Sequence, residues 1–224
     1  MLERSPLAIV IPCYNEAATL RDVIKGCAAS GDVFVIDDGS TDGSSTMARE
    51  EGAILVETGG RTGYDRVIER GLREAFSLGY RWVVTIDADG EHDPTLVAHY
   101  ARLFRETDTQ LILGIRPAPQ RLAEWVVCFY CRWRFGIHDI LCGMKGYSRD
   151  VLERYFADGR PNLVNTWPAL LWAATGASFG EIQVTGRRRL DKPRFSSRYR
   201  ANVAIMKMLG PISVLRKKRH KTGA

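Results

Sequence analysis

Three short apolar runs, each followed at once by a cluster of polar side chains, constrain this chain more than any other feature. The runs are residues 7–11, 33–36 and 82–86, and helix-like segments separate them. Continuous apolar strands that alternate with helices are typical of a parallel sheet buried on both faces. The chain is therefore predicted to be an α/β protein with a Rossmann-like, mostly parallel central sheet and helices on both faces.

The same alternation continues along the chain, and Asn15 is expected to cap the first helix. Asp93 followed by Pro94 is a second predicted helix cap, since proline suits the first helical position. No apolar run reaches the roughly 20 residues of a membrane span, so none is predicted. We expect helices over residues 15–31, 44–51, 64–78, 94–105 and 122–135, and further strands over residues 53–57 and 111–114.

The polar clusters that follow the strands are residues 12–16, 37–42 and 87–93. In open parallel sheets, ligands bind beyond the carboxyl ends of the strands. These three clusters are therefore expected to form one site. Within the second cluster, Asp38 can be an ordinary turn residue, or its carboxylate can recognise a nucleobase or a ribose hydroxyl.

Three carboxylates, Asp87, Asp89 and Glu91, leave the third strand at alternate positions. Carboxylate oxygens are preferred ligands of Mg²⁺ and Mn²⁺, which also take phosphate oxygens. Helix capping is the alternative interpretation, but it explains Asp93 and leaves the other three acidic residues unexplained. The sequence thus favours a metal or phosphate site.

The three clusters, in this order, resemble the motifs of glycosyltransferase family 2, which has a GT-A fold and uses nucleotide-sugar donors. Gly114-Ile115-Arg116 is similar to the family's Gly-x-Arg, and residues 138–147 resemble a segment of the dolichyl or polyprenyl-phosphate sugar transferases. The resemblance covers about residues 7–200. It implies that Mg²⁺ or Mn²⁺ is held by Asp87, Asp89 and Glu91, and that a nucleoside-diphosphate sugar is bound by Pro12, Tyr14, Glu16, Asp38 and Asp87.

The resemblance further implies metal-dependent, inverting transfer of a sugar to a lipid phosphate or another glycan acceptor. Asp139 would be the general base for a hydroxyl acceptor, whereas a phosphate acceptor is already anionic and needs none. A helix cap is the other interpretation of Asp139. Arg116, Arg189 and Arg194 are candidate phosphate ligands, because arginine forms forked hydrogen bonds with phosphate.

The net charge of +6 conceals an asymmetry between the two parts of the chain. Residues 186–224 carry 13 Lys/Arg against one Asp, or +12, which leaves −6 for residues 1–185. An apolar stretch over residues 203–215 precedes a basic run over residues 216–221. This order predicts attraction to an anionic membrane surface, and a packed helix followed by a solvated tail is the alternative.

We therefore expect a catalytic GT-A domain over residues 1–200, and a C-terminal helix with a basic tail over residues 201–224. Residues 1–6 do not have the pattern of a secretory signal, and five cysteines suit a reducing compartment. The expected location is the cytoplasm, or the periphery of the membrane at its inner face.

Several alternatives compete with the transferase interpretation. Asp87-Ala88-Asp89-Gly90 also resembles the motif of haloacid-dehalogenase-like phosphatases, and the basic C-terminus suits a nucleic-acid-binding module. The acidic strand ends argue against nucleic acid at that edge, and the first strand-to-helix turn has no glycines, which excludes a Rossmann dehydrogenase. Cys128, Cys131, His138 and Cys142 are either a zinc site or, for the cysteines, small packed hydrophobes.

Overall fold

A seven-stranded sheet organises the part of the chain that the computed structural model describes, which is residues 5–119, 121–159, 163–185 and 198–215. The strands are β1 (Leu7–Cys13), β2 (Asp32–Asp37), β3 (Ile54–Glu57), β4 (Trp82–Thr85), β5 (Leu111–Ile115), β6 (Lys145–Ser148) and β7 (Gly180–Gln183). Their order across the sheet is β3-β2-β1-β4-β6-β5-β7.

The sheet is mostly parallel, as predicted. β1 runs parallel to β2 and β4, β2 to β3, and β5 to β7, whereas β6 is antiparallel to both β4 and β5. The helices are α1 (Leu20–Ala28), α2 (Ser44–Glu50), α3 (Tyr64–Ser77), α4 (Val97–Glu106), α5 (Leu122–Phe135), α6 (Arg149–Asp158), α7 (Trp167–Ala174), α8 (Arg198–Lys207) and α9 (Leu209–Val214).

Two hydrophobic cores lie on opposite faces of the sheet, and β1 contributes to both. Ala8 and Val10 belong to one core, whereas Leu7, Ile9 and Ile11 belong to the other. Side chains alternate between the faces of a strand, so an uninterrupted apolar run is what a strand covered on both sides requires. The sheet is thus the fixed platform from which the loops of the site extend.

The first helix begins later than its sequence predicts. α1 starts at Leu20, and Asn15 is not its cap. Asn15 has a left-handed backbone with φ of 53°, and its side-chain oxygen accepts a hydrogen bond from the Thr41 amide at 2.8 Å. The side-chain oxygen of Asn15, which was expected to cap α1, therefore bonds to the loop after β2 instead.

The second predicted cap is confirmed. Asp93 accepts a hydrogen bond from the Thr95 amide at 3.0 Å, and Pro94 opens a single 3₁₀ turn that leads into α4. Helix α8 crosses the proposed domain boundary at residue 200, and α9 follows it. α8 packs against α5, and Ile212 of α9 is buried. Among the described residues no helix is both long and apolar enough to cross a bilayer.

Candidate active site

The order of the strands brings the three polar clusters to one edge of the sheet. β1 lies between β2 and β4 and runs parallel to both, so the loops that follow these strands leave from neighbouring carboxyl ends. Pro12 is paired with Ile36, and Cys13 with Asp37. The edge predicted from the sequence to carry ligands therefore carries all three clusters.

Hydrogen bonds join the loop after β1 to the loop after β2. The Glu16 amide donates to Ser44 Oγ at 3.1 Å, and the Ala17 amide donates to Asp42 Oδ2 at 2.9 Å. Asp42 Oδ1 in turn accepts hydrogen bonds from the Ser44 amide and hydroxyl. Asp42 and Ser44 thus hold the loop that contains Glu16, and Glu16 itself is buried.

Asp38 fixes a third loop, residues 58–63. Its Oδ1 accepts hydrogen bonds from the Thr62 amide at 2.7 Å and the Thr62 hydroxyl at 2.8 Å, and its Oδ2 accepts one from the Gly63 amide at 2.9 Å. Burial alone would raise the pKa of Asp38, but these hydrogen bonds lower it below its ordinary value. Asp38 is therefore an ionised acceptor that holds the start of α3.

The loop held by Asp38 also covers Tyr14. The guanidinium of Arg61 lies 4.3 Å from the centre of the Tyr14 ring, which is a cation–π contact. Tyr14 belongs to the predicted nucleotide-binding set, whereas Arg61 and Thr62 were not predicted from the sequence. The glycine-rich segment before α3 was the sequence feature that could have indicated these two residues. Its glycines allow the backbone of the loop to turn back toward β2.

Asp87 lies just beyond β4 beside Tyr64 of α3. The Tyr64 hydroxyl donates to Asp87 Oδ1 at 2.9 Å and accepts a hydrogen bond from Asn165 Nδ2 at 3.2 Å. Gly143 approaches the same carboxylate so closely that a Cβ at this position would overlap Asp87 Oδ2. Asp87 is therefore enclosed by α3, the loop before α7 and the loop before β6.

The carboxylates of Asp87 and Asp89 form the candidate metal site. Burial raises the pKa of Asp87, and the negative charge of Asp89 raises it further. A cation beside these groups would relieve the repulsion, so the donor set suits Mg²⁺ or Mn²⁺. Asp89 Oδ1 also accepts a hydrogen bond from the Glu91 amide at 3.0 Å.

Glu91 does not complete a preformed three-ligand site. Within the described ranges, no group of three or more His, Cys, Asp or Glu side chains is arranged to hold a metal ion. Mg²⁺ is often bound by one or two carboxylates together with substrate phosphates, and Asp87 with Asp89 meets that requirement.

Arg116 and Asp139 form a buried ion pair next to this edge. Arg116 Nε donates to Asp139 Oδ2 at 2.8 Å and Arg116 Nη2 donates to Asp139 Oδ1 at 3.0 Å, while Nη2 also lies 3.3 Å from Glu124 of α5. Burial would raise the pKa of Asp139, but the hydrogen bonds and charge of Arg116 lower it below its ordinary value. An acid this strong binds protons weakly, which makes Asp139 a poor general base in this arrangement.

Lys145 is a buried basic residue that was not among the site residues predicted from the sequence. Its ammonium group donates to the Cys142 carbonyl oxygen, and burial lowers its pKa to about 8. It lies at the start of β6, the antiparallel strand beside β4, and its charge acts on Asp87 and Asp139. Only the strand pairing brings this cation to the acidic edge.

The predicted zinc ligands have separate contacts. Cys128 Sγ lies 3.7 Å from an Asp139 oxygen, Cys142 Sγ lies 3.9 Å from His92, and His138 Nδ1 lies 2.6 Å from Glu181. Among the described residues these four side chains are not grouped as metal ligands, so the zinc alternative is not supported. Burial raises the pKa of the Cys128 thiol to about 11. Arg189 and Arg194 fall outside the described residues.

The family model described as "Glycosyl transferase family 2" matches residues 8–123 of this chain. Two curated relatives carry more specific names. The undecaprenyl-phosphate mannosyltransferase of Micrococcus luteus is 28% identical over 171 residues, which are 64% of this chain and 67% of that protein. The polyprenol monophosphomannose synthase of Mycolicibacterium smegmatis is 29% identical over 171 residues, which are 65% of this chain and 63% of that protein.

A solved structure shares the fold over nearly the whole chain. Glucosyl-3-phosphoglycerate synthase from Mycobacterium tuberculosis, crystallised with Mn²⁺, UDP and glucosyl-3-phosphoglycerate, superposes with a TM-score of 0.72. The superposition covers 97% of this chain and 81% of that one, at 19% sequence identity. At this identity the likeness concerns the fold.

Proposed function

The chain belongs to glycosyltransferase family 2, and from this premise we propose that it transfers a sugar from a nucleoside-diphosphate donor to a lipid phosphate. The observation that carries the proposal is the meeting of three loops, after β1, β2 and β4, at one edge of the sheet. That edge combines a loop held by hydrogen bonds to Asp38 with the carboxylate pair Asp87 and Asp89.

The nucleoside is proposed to bind on the β1–β2 side of this edge, against Pro12, Tyr14, Glu16 and Asp38. Tyr14 offers an aromatic face, and Asp38 holds the loop that covers it. The Glu16 loop and the loop over Tyr14 are held by hydrogen bonds to Ser44 and Asp38 before any ligand arrives, which reduces the entropy lost on binding. The diphosphate would then lie toward β4, with Arg116 as a candidate phosphate ligand.

Asp87 and Asp89, with Glu91, are proposed to hold Mg²⁺ or Mn²⁺ at the diphosphate. When bound, such an ion neutralises the charge that develops on the leaving nucleoside diphosphate. Tyr64 and the close approach of Gly143 keep the Asp87 carboxylate in place. A relative of the same fold that was crystallised with Mn²⁺ and UDP supports this assignment.

The state of Asp139 favours a phosphate acceptor over a hydroxyl acceptor. A hydroxyl must lose its proton, and Asp139 is engaged by Arg116 with its pKa lowered, so it is a weak proton acceptor. A phosphate oxygen is already anionic and can attack the anomeric carbon directly. The names of the two curated relatives, both of which refer to polyprenyl phosphates, support the same acceptor class.

In the proposed reaction, an acceptor phosphate oxygen forms a bond to the anomeric carbon while the bond to the donor diphosphate breaks. The nucleoside diphosphate leaves with the bonding electrons, and a single displacement inverts the configuration at the anomeric carbon. Incubation with GDP-, UDP-, dTDP- and CDP-sugars and a short-chain prenyl phosphate, with Mn²⁺ or with chelator, tests the donor, the acceptor and the metal requirement. NMR of the product's anomeric proton tests the inversion.

Asp89→Asn is the variant that tests the metal site. It preserves the side-chain shape but removes a charged oxygen ligand, so we expect turnover to fall at least about a hundredfold with the fold intact. Asp93→Asn is the matched control, because it removes a charge from the same loop and asparagine caps a helix as well as aspartate. Normal turnover by Asp89→Asn, or by the unaltered protein in excess chelator, would contradict the metal assignment.

A further inference from the structure

Helix α5 exposes a continuous stripe of large apolar side chains. Leu122, Trp125, Phe129 and Trp133 are 78%, 58%, 73% and 74% exposed, and Val126 lies among them. At about 100° per residue these five side chains occupy a sector about 100° wide and about 17 Å long. We refer to these five residues as the α5 stripe.

The α5 stripe differs from the other exposed apolar residues of the described chain. Those residues, among them Ile54, Leu78 and Val214, are scattered over separate elements. Single exposed apolar residues are ordinary, whereas a contiguous patch marks a surface that contacts something apolar. Tryptophan and phenylalanine side by side on an exposed helix face are typical of helices that bind at the lipid–water interface.

The opposite face of α5 is firmly attached to the protein. Val127, Cys131 and Phe135 are buried in the hydrophobic core, and Glu124 pairs with Arg116 and Arg121. The stripe therefore does not result from a helix that has failed to pack. The stripe faces outward on a helix whose opposite face is packed in the core and ion-paired.

Positive charge lies at the flank of the stripe and also follows α9 in the sequence. Arg132 of α5 is exposed at the flank of the stripe. Arg134 Nη2 donates to the Leu215 carbonyl at 3.2 Å, which places the residue before the basic run 216–221 at the C-terminal end of α5. In the sequence, five Lys/Arg thus follow a residue that is fixed at the C-terminal end of α5.

We propose that the α5 stripe inserts into the surface of an anionic lipid bilayer. An apolar stripe with an exposed arginine at its flank, on a chain whose sequence continues into five Lys/Arg, complements a surface that is apolar inside and negatively charged outside. A second copy of the chain fits less well, because pairing two stripes would bring their flanking arginines, Arg121 and Arg132, toward like charge.

This surface is connected to the Arg116–Asp139 pair of the proposed active site. Glu124, on the buried face of α5, lies 3.3 Å from Arg116, and Arg116 holds Asp139. A membrane-bound α5 would therefore place that side of the site near the bilayer, where a lipid phosphate resides. This consequence rests on the proposed function, whereas lipid binding by the stripe can be measured without any sugar transfer.

Cosedimentation of the full chain with phosphatidylcholine vesicles, with and without phosphatidylglycerol, tests the proposal. We expect binding to the anionic vesicles, and about tenfold weaker partitioning for the double variant Phe129→Ser/Trp133→Ser. The control Ile54→Ser/Leu78→Ser removes two exposed apolar side chains elsewhere and is expected to bind normally. Equal vesicle binding by the unaltered protein and the stripe variant, or no binding to either vesicle, would overturn the proposal.

Tryptophan fluorescence identifies the inserted side chains. Vesicles with brominated acyl chains should quench the tryptophan fluorescence of the unaltered protein. This quenching should largely disappear in the double variant Trp125→Phe/Trp133→Phe, which keeps the stripe apolar. Quenching that persists in this variant would contradict insertion of the stripe. If light scattering shows that the unaltered protein is a dimer and Phe129→Ser/Trp133→Ser is a monomer, the stripe binds a second copy and the proposal is wrong.

Transfer to a short-chain, water-soluble prenyl phosphate separates this inference from the proposed function. Product formation without vesicle binding would overturn the membrane proposal and leave the proposed reaction standing. Vesicle binding that depends on the stripe, without product, would support the membrane proposal and contradict the proposed reaction.

Discussion

Gly143 shows how one residue can fix the geometry of the candidate metal site. A side chain there would overlap Asp87 Oδ2, so Gly143→Ala must displace the Asp87 carboxylate or the loop before β6. We expect turnover to fall about a hundredfold, since a shift of about 1 Å in a reacting group can cost that much. Gly210→Ala is the control, because a Cβ at residue 210 meets no atom within 4 Å. Normal kinetics for Gly143→Ala would show that this close approach does not position Asp87.

Asp38 holds a loop of the candidate site, and its replacement shows whether that loop contributes to nucleotide binding or only to stability. Asp38→Ala removes the acceptor for Thr62 and Gly63, so the loop that covers Tyr14 loses its attachment. We expect the affinity for free nucleoside diphosphate to weaken by about 1–3 kcal/mol, as measured by titration calorimetry. Thr62→Val is the milder comparison, because it removes only the hydroxyl donor. Unchanged nucleotide affinity with a lowered melting temperature would make Asp38 a structural loop residue.

At the scale of elements, the Arg116–Asp139 pair ties the loop after β5 to the segment before β6. Asp139 has a lowered pKa in the folded protein, so ionised Asp139 stabilises the fold at pH values above its unfolded pKa of about 3.9. That contribution is lost as the pH falls from there through the lower folded pKa. We expect the unfolding free energy to fall over this range in the unaltered protein, and less steeply in Asp139→Asn.

Urea unfolding at pH 7, 5, 4 and 3 measures this difference between the two proteins. Arg116→Met is the complementary variant, since it leaves Asp139 and Glu124 buried without their cation and should cost about 3–5 kcal/mol at pH 7. Parallel pH profiles for the unaltered protein and Asp139→Asn would show that Asp139 does not cause the acid sensitivity.

At the scale of the whole molecule, charge is divided between an acidic part that carries the candidate site and a basic C-terminal part. Removal of residues 216–224 deletes five Lys/Arg and leaves the α5 stripe in place. Each basic residue near an anionic surface contributes about 1 kcal/mol, so binding of the shortened chain to anionic vesicles should be weaker and less sensitive to salt. Cosedimentation over a salt series measures both effects. The same salt dependence in the full and shortened chains would assign the attraction to other residues.

The sequence by itself determined the fold class and the family. Apolar runs such as residues 7–11 can be buried only by covering both faces of a strand, and helical spacing supplies the cover, so alternation alone predicted the mostly parallel sheet. The motifs after those strands predicted the transferase family, and the family assignment removes the phosphatase alternative. Helix α5 was also predicted with its observed bounds, because its apolar residues form one uninterrupted helical segment.

Only the tertiary structure decided which polar atoms meet. Asn15 looked like a helix cap because capping is a local rule, but its oxygen bonds to Thr41 from a loop 26 residues away. Tyr64, Lys145 and Asn165 reach the acidic edge from elements that are distant in the chain, and no local pattern encodes such contacts. Strand order is the physical reason: the antiparallel insertion of β6 beside β4 determines which side chains surround Asp87, and pairing between distant strands is fixed by the whole core.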